Sequence, residues 1–345
     1  MSFSETDLSN IKKISSIINA RVSSEKSAGE LGKQAYLGAI NGEEFGKGQF
    51  DDWLVNRFSK RLIWLSKEDY LRALTQALWL APVFAGTDYG SSRQRDMAQV
   101  WTDTARGFLG EIALGTFLKE KYAVEIKSDQ RRGNVSDFLP SDITKIKVQG
   151  KDWAPSKLNL SIKSTKLNGR WLDAPGAQLE HSDAFLLVKI GVLRHHFLAF
   201  LKSVSFLKDK LFPSATSLGV LDSKQADELW NEVPSFDPIP AYVAGFIVKK
   251  ELTLPIDRID VSLKGRLDTR KRLVVSHGVG LFSMSTLRAH DAVRSLDPEE
   301  RYRIEIEPII DSLTGQHFLA HSGGLKYGAS DWRKLVDALC GIDGK

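Results

Sequence analysis

Apolar residues recur at spacings of three and four in two early stretches, LSNIKKISSIINARV (8–22) and WLVNRFSKRLIWLSKEDYLRALTQALWLA (53–81). That period predicts amphipathic helices through residues 1 to about 95, with Trp53, Trp64 and Trp79 in their core. GTDYGSSRQR (86–95) reads as a loop, and a long helix is expected from Ala98 to Lys121, with Trp101, Ala105, Phe108, Ile112 and Ala113 on its buried stripe. The period then changes to two, which predicts strands at 143–148, 157–165, 184–192 and 195–201. Turn-rich stretches follow from about 210, with further strands in YVAGFIVKKELTL and KRLVVSHGVGLF. This pattern predicts an α/β protein in three parts: a helical region 1–95, a helix-then-sheet region 96–209 and a mixed α+β region 210–345. No internal repeat is visible.

Composition narrows the class. The 345 residues are 42% hydrophobic and 26% charged, an ordinary folded composition. The formal charge of +5, with a pI near 9.0, mildly favours an anionic partner. One cysteine, Cys340, excludes an internal disulfide and a four-cysteine zinc site. MSFSETDLSN has no basic segment leading into an apolar one, and the longest apolar run, ALWLAPVFAG, is about half of a membrane span. A cytoplasmic protein without membrane association is therefore expected.

Three stretches carry candidate chemistry. In ARGFLGEIALG, Glu111 lies one helical turn from both Gly107 and Gly115, so bare backbone flanks a carboxylate. In FLPSDITKIKV, Asp142 stands immediately before an alternating strand, and in LNLSIKST the polar face of a strand carries Lys163. If 143–148 and 157–164 pair as a hairpin about QGKDWAPS, Asp142 and Lys163 become neighbours and Glu111 can face them from the packed helix. Two carboxylates and an ammonium are the parts that metal-assisted phosphodiester hydrolysis requires. Asp137, in NVSDFLP, competes with Asp142 as the metal ligand, although FLP interrupts any strand after it. Gln178, His181 and Asp183 precede an apolar strand, which puts them at a sheet end, near the site or facing DNA, although turn formation is the first reading of them, and His195 and His196 read as structural.

GFLGEIAL, then PSDI opening a strand, then LSIKST closing the next, resembles the PD-(D/E)XK nuclease superfamily, most closely type II restriction endonucleases. The resemblance covers roughly residues 98 to 201. It implies a restriction-endonuclease-like core, a mixed central sheet flanked by helices, with Mg²⁺ dependence (Mn²⁺ substituting) and cleavage of double-stranded DNA. On that resemblance Glu111, Asp142 and Lys163 are the catalytic residues, and Glu111, Asp142 and the main-chain carbonyl of Ile162 the metal ligands. Ser161 departs from the pattern, since an acid is usual two positions before the lysine. Basic segments suggest backbone contacts from Lys166 and Arg170, from Arg131 and Arg132, and from Arg270, Lys271 and Arg272 in KGRLDTRKR. The implied partners are DNA, a second copy of the chain in a homodimer, and a cognate DNA methyltransferase on a separate polypeptide. A structure-selective or repair nuclease of the same fold, or a catalytically silent DNA-binding protein, are the alternatives.

Overall fold

The computed structural model describes residues 3–43, 48–87, 96–129, 131, 141–254, 256, 259–267, 270–296, 298–299, 301–306 and 317–342. Its centre is a four-stranded sheet in the order β1 (Leu62–Leu65), β8 (Ile239–Val248), β7 (Ala184–Ile190), β5 (Leu160–Lys166), strands being numbered along the chain. β5 and β7 are parallel, whereas β8 runs antiparallel to both β7 and β1. All of β7 is buried, because it has a strand on each side and a covered layer on each face. A second sheet joins β2 (Val124–Ser128), β3 (Ile143–Val148) and β4 (Ala154–Pro155). A third joins β6 (Trp171–Pro175), β13 (His317–His321) and β11 (Val279–Phe282), and a fourth joins β9 (Asp260–Leu267), β10 (Arg270–His277) and β12 (Arg303–Glu305).

Helices cover both faces of the central sheet. On one, Met97–Tyr122 packs with Lys67–Thr87 and Ala329–Cys340, setting Leu109, Leu74 and Trp332 in one core with Ile162, Leu186 and Val188. On the other, Glu5–Asn19 and Glu25–Ile40 bring Ile14, Leu31 and Tyr36 against Phe185, Leu187 and Tyr242. The fold is thus mixed α/β. Asp96 caps Met97–Tyr122 by accepting from the Gln99 N–H at 2.8 Å, and Ala123, at φ 54°, ends it in the left-handed region. No helix among the described residues is long and apolar enough to cross a membrane.

Several expectations are corrected. Leu62–Leu65, expected within a helix, is the edge strand β1. Trp53 is buried, but Trp79 is 57% exposed and lies outside the core. Residues 196–201 belong to the helix His196–Ser203, with His195 at its N-cap, rather than to a strand. The central sheet takes β1, then β5 and β7, then β8 from the three expected regions in turn, so it crosses the boundaries at 95/96 and 209/210. The hairpin of 143–148 with 157–164 does not form: β3 pairs antiparallel with β2 and β4, while β5 pairs in parallel with β7.

One feature of the core is ionic. Lys189, at the end of β7, has a side chain only 2% exposed and reaches Glu43 Oε1 at 3.0 Å and Ser322 Oγ at 2.9 Å. Arg57 Nη2 lies 2.8 Å from Glu43 Oε2 and donates to the Ser322 carbonyl at 2.7 Å. Burial works to raise the Glu43 carboxyl, but Lys189 and Arg57 outweigh it and hold it below the usual carboxylate range. The network ties the chain after Glu25–Ile40 to the sheet and to the turn after β13.

Candidate functional site

The site lies at a seam between two sheets, along the edge of β5 that faces away from β7. Asp142, just before β3, donates its N–H to the Leu160 carbonyl at 2.9 Å and accepts the Asp129 N–H on its own carbonyl at 3.1 Å. Its side chain also reaches β5, where Oδ2 accepts the Ile162 N–H at 2.5 Å. Asp142 and Lys163 are therefore neighbours, as expected, but through this stitching rather than through a hairpin. Leu160 turns both its N–H, to Ser141 Oγ, and its carbonyl, to Asp142, toward the same edge. Within a strand each residue aims its N–H and C=O to one side, so the Ile162 carbonyl also looks out from this edge.

Glu111 approaches from the helix. Gly110 is the residue that permits the contact with β5: a Cβ there would overlap Ser164 Oγ, which itself donates to the Gly107 carbonyl at 3.3 Å. Gly107, expected to serve this purpose, faces open space. Glu111 is half-buried. Burial pushes its carboxyl well above the usual range, the neighbouring Asp142 and Asp129 add to the rise, and a hydrogen bond from Ser128 opposes it. Asp142 is likewise raised by burial, against the Ile162 N–H and Lys163, which favour its ionised form. A cavity of about 500 Å³ opens beside Glu111, and Arg72, Lys119 and Lys127 stand on its walls.

Lys163 stands on the other side of β5. Ile162 and Ser164 meet the helix, and alternation turns Lys163 toward the short helix Gly176–Leu179, where Nζ donates to Gln178 Oε1. Burial lowers its pKa, while the negative charges of Asp142 and Asp173 pull it back up. Asp142 thus sits at the edge between the helix carboxylate and the strand lysine: its charge raises the Glu111 carboxyl, and Lys163 favours its own ionised form. Ser161, in the place of the expected acid, is buried on the same face as Lys163.

Two participants, Asp129 and Asp173, escaped the sequence reading, and a third, Gln178, has a role the sequence does not specify. Asp129, at the end of β2, is a third carboxylate close enough to act on Glu111 and Asp142, and its hydrogen bond from Arg131 holds it below the usual range. Asp173 faces Lys163 and is paired with His317 at 3.0 Å. Gln178, for which a place near the site is the alternative to turn formation, holds Lys163. The first carried a signal, an aspartate closing a strand ahead of a basic pair in SDQRRGN.

The remaining assignments fare differently. Asp137 and Arg132 lie outside the described residues, as do the side chains of Arg270 and Lys271. Lys166 is exposed at the end of β5, and Arg170 is half-buried just after it. Arg272 is not a solvated cation on the surface: its Nε donates to Glu305 Oε2 at 2.7 Å across the parallel pair β10/β12, and its side chain is 19% exposed. His195 and His196 stack at the start of a helix with ring centroids 5.3 Å apart, and burial lowers the His196 pKa to about 4.

Among the described residues no three His, Cys, Asp or Glu side chains converge as a metal-binding group. What the seam offers is a pair of crowded carboxylates, Glu111 and Asp142, and the outward Ile162 carbonyl. These are hard oxygen donors of the kind Mg²⁺ takes in small number while keeping its waters, and a cation there would offset the charge that burial penalises. No protein family, curated protein or solved structure matches this chain.

Proposed function

We propose that this chain is a Mg²⁺-dependent, sequence-specific endonuclease of double-stranded DNA, built on a restriction-endonuclease-like core. The observation that carries the reading is the placing of Asp142 at the edge of β5 between Glu111 on one face and Lys163 on the other, with an electrostatic coupling of Glu111 to Asp142 and of Asp142 to Lys163. The mixed sheet with helices on both faces supports the same reading.

In this reading Glu111, Asp142 and the Ile162 carbonyl hold the cation, which when bound supplies positive charge against the scissile phosphate and a more acidic water. Burial keeps both carboxyls reluctant to ionise alone, so their donor form is coupled to cation binding. Lys163, fixed by Gln178, presents a cation beside Asp142. Its lowered pKa makes it readier to exchange a proton with an attacking water than a surface lysine is. Lys119 and Lys127, on the walls of the cavity beside Glu111, suit a phosphate backbone. Two strands of opposite polarity call for two such sites, which a two-fold homodimer supplies, and protection of host DNA falls to a methyltransferase on another polypeptide.

The second reading is a DNA-binding protein without cleavage, favoured by the buried Ser161 where an acid is usual. Incubation of the purified protein with unmodified phage DNA and Mg²⁺ separates the two. Discrete fragments, lost in Asp142→Ala, support the nuclease; binding without any cleavage in Mg²⁺ or Mn²⁺ overturns it.

A further inference from the structure

A second cavity, of about 410 Å³, lies at the C-terminal end of the helix that carries Glu111, beside Phe117, Lys121 and Tyr122. Ten residues separate Glu111 from Lys121, so the two places are about 15 Å apart along the helix axis. Four cations line this cavity: Lys60, Arg61, Lys121 and Arg333. Among the described residues no carboxylate lines it, and none is ion-paired with any of the four. Arg61 is only 7% exposed and spends hydrogen bonds on two backbone carbonyls, of Arg57 at 3.1 Å and Tyr327 at 2.6 Å. A guanidinium has five N–H donors, so it retains capacity for a ligand.

The helix Ala329–Cys340 begins at this cavity, with Ala329 on the wall and Gly328 at the cap position, where no side chain accepts from its first turn. Its N–H groups add positive potential to that of the four cations. Asp331, in the same turn, lines a separate groove. Aromatic rings complete the wall. Tyr327 is 42% exposed and carries Arg61 at 5.0 Å from its centroid, and Arg333 sits 5.4 Å from the ring of Tyr122. Behind them Trp332 is 1% exposed, and its indole Nε1 has no partner among the described residues.

Clustered cations alone would suit any anion, and aromatic walls alone any flat apolar molecule; together they select a ligand that has both. We propose that this cavity binds a nucleoside phosphate, the phosphate held by Arg61, Lys121, Arg333 and the first turn of Ala329–Cys340, and the base stacked on Tyr327 or Tyr122. Such a ligand reaches the cavity either as a free nucleotide or as the 5′-phosphorylated end of a nucleic acid strand. The site is separate from the seam and needs no divalent cation.

The test is isothermal titration of the full chain, in EDTA and low salt, with AMP, adenosine, inorganic phosphate and a 5′-phosphorylated oligothymidylate. AMP or the oligonucleotide should bind at least tenfold more tightly than adenosine or phosphate. The exposed-residue variant Lys121→Ala/Arg333→Ala should lose at least tenfold in that affinity with an unchanged melting temperature, and Glu111→Gln should bind as the wild type does. AMP tighter than the oligonucleotide assigns a free nucleotide, and the reverse order assigns a strand end. AMP and the oligonucleotide both binding no better than phosphate, or unchanged affinity in the double variant, overturns the proposal. Loss of binding in Glu111→Gln, which would move the ligand to the seam, also overturns it.

Discussion

Replacing Glu43 by Gln keeps the shape of a buried side chain and removes the one anion that Lys189 and Arg57 share. Arg57 keeps the Ala244 and Ser322 carbonyls and the face of Tyr327, 4.0 Å away. Lys189 keeps only neutral partners, Ser322 Oγ and the Gly38 carbonyl. Breaking a buried pair from one side costs about 3–5 kcal/mol. Lys189 has an escape, because it can fold neutral. Releasing the proton of an ordinary lysine at pH 7 costs about 4.6 kcal/mol, which caps its share of the damage. The sign with pH follows. A lysine whose folded pKa is depressed binds fewer protons folded than unfolded, so the stability of the variant recovers as pH rises toward the unfolded value near 10.4. At pH 9.5 the Lys189 share should shrink to about 1.2 kcal/mol. Urea unfolding of wild type and Glu43→Gln at pH 7 and pH 9.5, read by tryptophan fluorescence, measures both numbers. A deficit below about 1 kcal/mol at pH 7, or one that does not narrow at pH 9.5, would refute an ionised buried lysine held by Glu43.

Glu111→Gln should make the metal-free protein more stable at pH 8 and remove any rise in melting temperature on adding Mg²⁺. A carboxyl with a raised folded pKa takes stability away as pH climbs from the unfolded value near 4.3 through the folded one, so wild type and variant should diverge across that window; parallel melting curves from pH 4 to 8 would return Glu111 to the helix surface. Lys163→Ala should lower single-turnover cleavage by about a hundredfold to a thousandfold while binding in Ca²⁺ survives. Gln178→Ala, which frees Lys163 without removing it, should cost about tenfold to a hundredfold in kcat with little change in KM; equal losses in both variants would show that Gln178 does more than position the lysine. Arg272→Ala should destabilise the protein by about 1–3 kcal/mol, by stripping a partner from the buried Glu305, and leave the salt dependence of DNA binding unchanged. Weaker binding with unaltered stability would instead make Arg272 a phosphate contact.

The long helix around Glu111 and the strands β3 and β5 were legible from their periods, and β7 from a short apolar run bounded by turn residues. Leu62–Leu65 was not, since four apolar residues inside a helical period fit either structure, and only pairing with β8, some 180 residues away, decides for a strand. HHFLAFL failed for the same reason in the other direction. The pairing of Asp142 with Lys163 was reached for a local reason, a hairpin, whereas the fold achieves it by crossing between sheets. A strand lysine also proved to be an ambiguous signal: Lys189, in the apolar run FLLVKIG, is more deeply buried than Lys163 and serves the core. What separates the two is what each meets, Glu43 for one and Gln178 for the other, and that depends on how the elements pack.

The central sheet has a consequence for synthesis. Glu111, Asp142 and Lys163 leave the ribosome well before β8, the strand that joins β1 to β7. At about 5–20 residues per second, roughly 4 to 17 s pass between Lys163 and Val248. During that interval β1 has no neighbour and β7 is bare along one side. Every nascent chain therefore carries Glu111, Asp142 and Lys163 before the sheet that aligns them is complete, and under the proposed nuclease reading a half-made copy has no assembled centre with which to cut DNA.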